Sequence, residues 1–338
     1  MKQWISALLL STFMMAAFGQ NHFNVLVYHH VSESSPASTS VSPEQFREHL
    51  AFFKSNNYPV VSLKDALAAI ESGDALPQNA IAITFDDAYR SIYLNAFPLL
   101  KEFNYPFTIF AATDPIDQNF NDMLSWDQLR EMKKWGAVIA NHTQDHAYLV
   151  RHRSLDATWK LQTRQNIEHA QQRLIDELGS DIPKWLAYPY GEFSQSLQDL
   201  LSDMGYVGFA QHSGGINKDS PRTALPRFAA AGIYANTKTL ATKIESLPMP
   251  ISESDLSDML TDDSQPLFRA SITNMDDMSR VLNCFVDGSW HEVKWTGTQS
   301  FELVSEQPLS PGRHRYNCTA KSKSMNAYYW YSKPWLIQ

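Results

Sequence analysis

The chain has 338 residues, 43% of them hydrophobic and 19% charged, with a formal net charge of −8 at neutral pH. That composition excludes a disordered or collagen-like polymer, and the acidic balance gives no generic reason to bind nucleic acid or an anionic membrane. The length suits one large domain and a small one.

Residues 1–19 read as a secretory signal. Lys2 precedes an apolar run from Trp4 to Phe18, and the small residues Ala17 and Gly19 would occupy the −3 and −1 positions of a cleavage site. The run is shorter than the roughly 20 apolar residues of a retained membrane span. Its removal takes away Lys2, the only charged side chain there, so the net charge moves from −8 to −9. The expected location is periplasmic or secreted, with no transmembrane segment left after cleavage.

From Asn24 to about Lys243, short strand-like runs alternate with helical patterns. "NVLVYHH" (24–30), "AIAITFDD" (80–87), "PFTIFAA" (106–112), "GAVIANH" (136–142), "KWLAYPYG" (184–191) and "YVGFAQ" (206–211) are β-branched or aromatic and close on polar residues. Between them, "SPEQFREHLAFFKSNN" opens with a Ser-Pro helix start, and "SLDATWKLQTRQNIEHAQQRLIDELG" is a longer amphipathic helix ending at a glycine. Alternating β and α elements predict a parallel sheet or barrel, with chemistry collected at the strand ends. The catalytic domain is expected over 20–244. The proline-, serine- and acid-rich stretch 245–266 is expected to be a linker. Beyond it, residues 267–338 alternate in short runs and predict a small C-terminal antiparallel β-sandwich. It holds the only cysteines, Cys284 and Cys318, which in an oxidising compartment would form a disulfide across its two sheets; buried free thiols are the alternative. Its aromatics, among them Trp290, Trp295 and the "AYYWYSKPW" run, either fill its core or offer rings for stacking on sugars.

Three motifs fall at predicted strand ends. "TFDD" places Asp86 beside Asp87, a repulsive pair unless something positive absorbs the charge. "NHTQDH" spaces His142 and His146 as two imidazoles on one face of a helical turn would be, with Asp145 between them expected to be solvated or capping. "YPYG" (188–191) is a tight turn whose backbone can approach a ligand. His29 and His30 end the first strand, and one of them is expected to face the barrel mouth.

In their order and spacing these motifs resemble the polysaccharide deacetylases with NodB-homology domains, carbohydrate esterase family 4, over about residues 24–235. "LVYHHVS" and "VSPEQFREHLAFFKSNNYPVVSL" are similar to the branch acting on poly-β-1,6-N-acetylglucosamine. The resemblance implies an α/β fold, a distorted (β/α) barrel, and metal-dependent removal of N-acetyl groups from an N-acetylhexosamine polymer of exopolysaccharide, chitin or peptidoglycan type. It also implies a divalent metal held by Asp87, His142 and His146: zinc, with nickel or cobalt as alternatives. Two imidazoles and a carboxylate leave positions open, as in catalytic zinc sites. Asp86 is then the general base, made sufficient by a cation that acidifies water. The backbone N–H of Tyr190, in the turn with Pro189 and Gly191, is the implied oxyanion donor.

The family's late Leu-x-His motif, which supplies a general acid, is absent, and His212 in "GFAQHSGGIN" is the candidate in its place. The family's base-holding arginine is missing from "AYPYG" (187–191), and Arg227 in "ALPRFA" is the candidate to replace it. The family's tryptophan motif is not recognisable. His29 is expected either to hydrogen-bond to the catalytic aspartate or a ligand or to be a packed histidine. Two rival readings are an O-acetyl esterase acting on a polysaccharide and a catalytically silent polysaccharide-binding protein.

Overall fold

A computed structural model describes residues 19–151, 154–252 and 258–338. The expected signal segment, but for Gly19, lies outside the described residues. Among the described residues, no helix is long and apolar enough to cross a membrane.

Seven parallel strands form a curled sheet in which each strand lies beside its predecessor: β1 (His22–Tyr28), β2 (Ile81–Phe85), β3 (Phe107–Ala111), β4 (Val138–Asn141), β5 (Trp185–Ala187) and β6 (Val207–Phe209), with β7 (Phe228–Ala229) on the far side of β1. All six predicted strands are present: the first begins two residues earlier, at His22, and ends at Tyr28, and the other five are shortened at both ends. The last, β7, is only two residues long and carries no sequence signal.

Residues 225–229 bring the two edges of the sheet together. Leu225 bonds to Gly208 and Ala210 beside β6, while Phe228 and Ala229 pair with Leu26 and Val27 of β1. The chain between those contacts carries Arg227.

Alternation along the strands sorts the side chains between two cores. Ile81, Ile83 and Phe85 of β2 pack outward against helices α1 (Pro43–Ser55) and α3 (Phe97–Phe103). Ala82 of β2, Phe110 of β3 and Ala140 of β4 join an inner core that α2 (Leu63–Ser72) closes with Leu63, Leu67 and Ile70. Asp86 continues the inward parity of Ala82 and Thr84, and His142 continues that of Ala140. The helices start where the sequence says: Ser42 caps α1 in a reciprocal pair with Gln45, and Asp156 caps the 22-residue helix Ala157–Leu178.

The stretch expected to be a linker, 245–266, is a correction. Leu247–Pro248 (β8) and Leu260–Thr261 (β9) both pair in parallel with the last strand of the C-terminal domain, so its described residues are partly woven into that domain's sheet. The other strands of the C-terminal domain are β10 (Phe268–Ser271), β11 (Met278–Val286), β12 (Ser289–His291), β13 (Lys294–Trp295), β14 (Ser300–Leu303), β15 (Gly312–Ser322) and β16 (Tyr328–Ile337). A six-stranded sheet containing β11, β15 and β16 faces a three-stranded one of β10, β14 and β13. Phe268, Phe301, Tyr316 and Trp335 fill the space between them. Trp335 is therefore core, whereas Trp290 is 59% exposed.

The disulfide between Cys284 and Cys318 is present, but it does not join the two sheets. The two cysteines face each other on neighbouring strands β11 and β15 of one sheet, with Cα atoms 4.1 Å apart. The bridge holds the register of that pair and closes a loop spanning 34 residues. Loop closure of that length contributes about 3–4 kcal/mol. The Cys284→Ser/Cys318→Ser double variant is expected to unfold its C-terminal domain at lower denaturant concentration. The change should register in tryptophan fluorescence as an earlier transition, and an unshifted transition would show that the bridge adds nothing.

Candidate metal centre and its surroundings

The strand ends bring the motif residues to one mouth. Asp87 follows β2, and its Oδ1 lies 3.0 Å from both His142 Nε2 and His146 Nε2. Ligand atoms from these three residues all fall within 4.8 Å of one another. His142 is buried, and its Nδ1–H donates to the carbonyl of Ala187 at 2.8 Å, which leaves the lone pair of Nε2 facing the Asp87 carboxylate. Two acceptors cannot rest at that distance without a proton or a cation between them. Burial disfavours charge on both groups, yet their contact holds the Asp87 carboxyl well below the usual carboxylate range and raises the His142 imidazole. The donor set suits a divalent cation.

The two histidines do not share a helical face, as their spacing suggested. Both lie in the loop after β4, where Thr143 and His146 take left-handed backbone conformations with φ of 72° and 54°. The Thr143 hydroxyl accepts from the backbone N–H of His146, and Asn141 accepts from that of Thr143. These local bonds turn the loop back so that both rings reach Asp87. Asp145 points the other way, accepting from Ala147 and Asn166.

Asp86 is completely buried beside the trio. Arg227, equally buried, donates to both of its oxygens, Nη1 to Oδ1 at 2.6 Å and Nη2 to Oδ2 at 2.7 Å. Burial alone would raise the Asp86 carboxyl. The facing guanidinium, helped by His142, instead holds it below its ordinary value and therefore ionised. Gln211, which the sequence did not single out, bridges Asp86 and His29, its Nε2 lying 3.4 Å from Asp86 Oδ2 and 3.5 Å from His29 Nε2. Burial lowers the His29 imidazole. His30 turns aside and stacks on Tyr89, with ring centroids 3.6 Å apart.

The 188–191 turn sits across the mouth. Tyr190 is left-handed at φ 61°, and its ring meets the edge of His146 and stacks on Tyr148 at 3.9 Å. Gly191 is required twice over: its φ is +70°, and a Cβ there would stand 2.6 Å from Gln211 Cβ. Beside the trio opens a hollow of about 600 Å³, lined in part by Tyr89, Phe120, Asp122 and Met123. Burial, followed by the nearby Asp87 carboxylate, raises the Tyr89 hydroxyl above its ordinary value. Phe120 lies in sequence that carries no motif, and Tyr89, two residues past TFDD, was not singled out.

His212 is a correction. It lines a different hollow, between the barrel and the C-terminal domain, beside Phe193 and Lys333. Burial, followed by the nearby charges of Lys333, Arg315 and Arg227, lowers its pKa to about 3, and its Nδ1 has no hydrogen-bond partner among the described residues. A ring that stays neutral at working pH is a poor proton donor, so the general-acid assignment is withdrawn.

Residues 73–209 match the family model described as polysaccharide deacetylase. The chain is similar to the poly-beta-1,6-N-acetyl-D-glucosamine N-deacetylase of Escherichia coli strain K12, 25% identical over 292 residues, covering 74% of this chain and 43% of that protein. It is similar to the protein of the same name in Staphylococcus aureus strain MSSA476, 28% identical over 213 residues, covering 61% of this chain and 73% of the other. The fold is shared with the Streptococcus pyogenes deacetylase PplD, at a TM-score of 0.59 and 23% identity over 66% of this chain and 98% of that one.

Burial of neutral histidines contributes to the pH response of stability, in the sense opposite to His142, whose imidazole is raised. Unfolded, His212 takes up a proton below its ordinary value of 6.5, whereas folded it does so only near 3. The unfolded state thus binds more protons between those values, and stability is full above pH 6.5 and falls as pH descends. His22, lowered to about 4 by burial, acts in the same sense. The melting temperature is expected to fall from about pH 7 to about pH 5, and His212→Gln should flatten that slope. An identical slope in the variant would show that His212 titrates normally.

Proposed function

We propose that this chain, a hydrolase of the polysaccharide deacetylase family, is a metal-dependent N-deacetylase of a poly-β-1,6-N-acetylglucosamine-like polymer, working outside the cytoplasm. The observation that carries this reading is the side-by-side placement of Asp87, His142 and His146 with a second carboxylate, Asp86, that arginine holds ionised. A metal site alone would need no such neighbour. The substrate class follows the two similar enzymes named above, although the chain spans only 43% of the length of the Escherichia coli one.

Asp87, His142 and His146 would hold the cation, with zinc the first choice and nickel or cobalt alternatives. When bound, it supplies Lewis acidity, lowering the pKa of water and polarising an acetamide carbonyl. Asp86 takes the proton of the attacking water. With its pKa depressed by Arg227, it is a weak base, adequate only for water that is already acidified. Arg227 fixes which oxygen lone pairs remain for that proton, because both oxygens already accept from the guanidinium. The backbone N–H of Tyr190 meets the developing oxyanion. As the C–N bond breaks, the proton collected by Asp86 passes to the departing amine, leaving acetate and a free amino sugar. One carboxylate thereby serves both transfers, and no separate acid is needed. The hollow beside Tyr89, Phe120 and Asp122 would receive the sugar, offering ring faces and a polar edge.

Acetate release from N-acetylglucosamine oligomers is expected to stop on chelation and to return with zinc, nickel or cobalt. Release that persists after complete metal removal would overturn the mechanism. Asp86→Asn should keep the metal and lose at least about a hundredfold in kcat, the usual range for a lost base. Faster release from O-acetylated than from N-acetylated glycans would shift the assignment to an esterase, since an ester's leaving group needs less proton help.

A further inference from the structure

The C-terminal domain makes one contact with the catalytic mouth that goes beyond packing. Arg313, near the start of β15, donates from Nη1 to the carbonyl oxygen of Tyr190 at 2.7 Å. Its Nε lies 3.6 Å from Glu192 Oε1. Glu192 is fully buried and also takes a forked pair from Arg151, one arm being Nε to Oε2 at 2.8 Å. Arg151 in turn lies over the ring of Tyr148, 4.4 Å from its centroid, and Tyr148 stacks on Tyr190. The left-handed residue at 190 is thus held from two sides, through its ring by the Arg151–Tyr148 stack and through its carbonyl by Arg313.

We infer that Arg313 is a positioning residue for the reaction, supplied by the C-terminal domain: it holds the carbonyl of the 190–191 peptide and, through the backbone torsions of Tyr190, fixes the adjoining 189–190 peptide whose N–H, that of Tyr190, is aimed at the oxyanion. The inference rests on the assignment of that N–H under the proposed function. A tyrosine at φ 61° occupies a sparsely populated region, costing of order 1–3 kcal/mol, and stays there only if its surroundings hold it. Rotation of the 190 turn would swing the N–H away, and misplacement of about 1 Å at a reacting centre costs roughly a hundredfold in rate. The contact does little for stability. Arg313 is half exposed, and Glu192 is already met by the closer forked pair from Arg151, so the 3.6 Å contact adds little. Its use is geometric, and the C-terminal domain is then part of the active site's frame as well as a neighbour of it.

The test compares Arg313→Ala and Arg313→Lys in the full chain. Arg313→Ala is expected to lower kcat for acetate release about tenfold to a hundredfold with KM unchanged, metal content unchanged and a melting temperature within about 2 °C of the parent. Arg313→Lys, which keeps a donor for the Tyr190 carbonyl, should recover most of that loss. Amide exchange gives a readout independent of turnover. The N–H groups of Gly191 and Glu192, bonded to the carbonyls of Tyr188 and Pro189, should exchange at least about tenfold faster in Arg313→Ala while those of β2 and β4 do not change. Unaltered exchange and unaltered kcat would overturn the inference, as would a loss of activity that only tracks loss of folded protein. If the parent chain released no acetate at all, the functional assignment would fall instead, and the exchange comparison would still decide whether Arg313 holds the turn.

Discussion

The buried pair of Asp86 and Arg227 is the constraint on which the rest depends. Neither group retains any exposure, and an ionised carboxylate in that position costs several kcal/mol unless it is fully met. Two short bonds from a planar guanidinium meet it, and Arg227 is further tied through Nε to the carbonyl of Ala210. Because Arg227 lies in the segment that brings β6 and β1 together, completing the curled sheet and neutralising the aspartate are one event. Removing either partner would leave a lone charge in the barrel interior, which typically costs about 3–5 kcal/mol. The pair is therefore structural and chemical at once: it keeps Asp86 ionised and closes the wall around it.

Backbone strain gathers at the same place. Asp87, Ala88, Thr143, His146 and Tyr190 all adopt positive φ, and none is glycine. Asp87 and His146 belong to the donor trio, Tyr190 carries the proposed oxyanion donor, and the other two adjoin members of the trio. Such conformations persist where surrounding bonds over-determine them. Here those bonds are identifiable: Thr143 and Asn141 turn the histidine loop, the stacked Tyr148 and Arg313 hold the tyrosine turn, and the Leu124 N–H bonds to the Ala88 carbonyl. The rigid strands deliver the chain to the mouth, and the strained turns aim it.

Much of this could be read from the residues. The strands announced themselves through period and composition, and TFDD, the paired histidines and the YPYG turn marked the mouth. Arg227 was reachable because an absent arginine implied a substitute. What escaped the sequence has physical reasons. A two-residue strand such as Phe228–Ala229 has no periodicity to detect. The 245–266 stretch has the composition of a linker, yet two-residue strands within it are paired through backbone bonds, to which composition is blind. The cysteines' pairing within one sheet depends on register, and His212 lay in a suggestive loop whose depth only the tertiary packing decides. Gln211, Tyr148 and Arg313 carry no motif at all, because they act through position alone.

The place of strand β16 has a bearing on how the molecule is made. It comes late in the chain, yet β8 and β9 both lie along it, and its Trp330 packs edge-on against Phe228, one residue from Arg227. During vectorial synthesis the barrel can gather from its first strands onward, but the outer side of its closing segment stays bare until residues 328–337 have left the ribosome. The nascent chain thus carries an unfinished seam, and the arginine behind it gains this backing only once that strand has emerged.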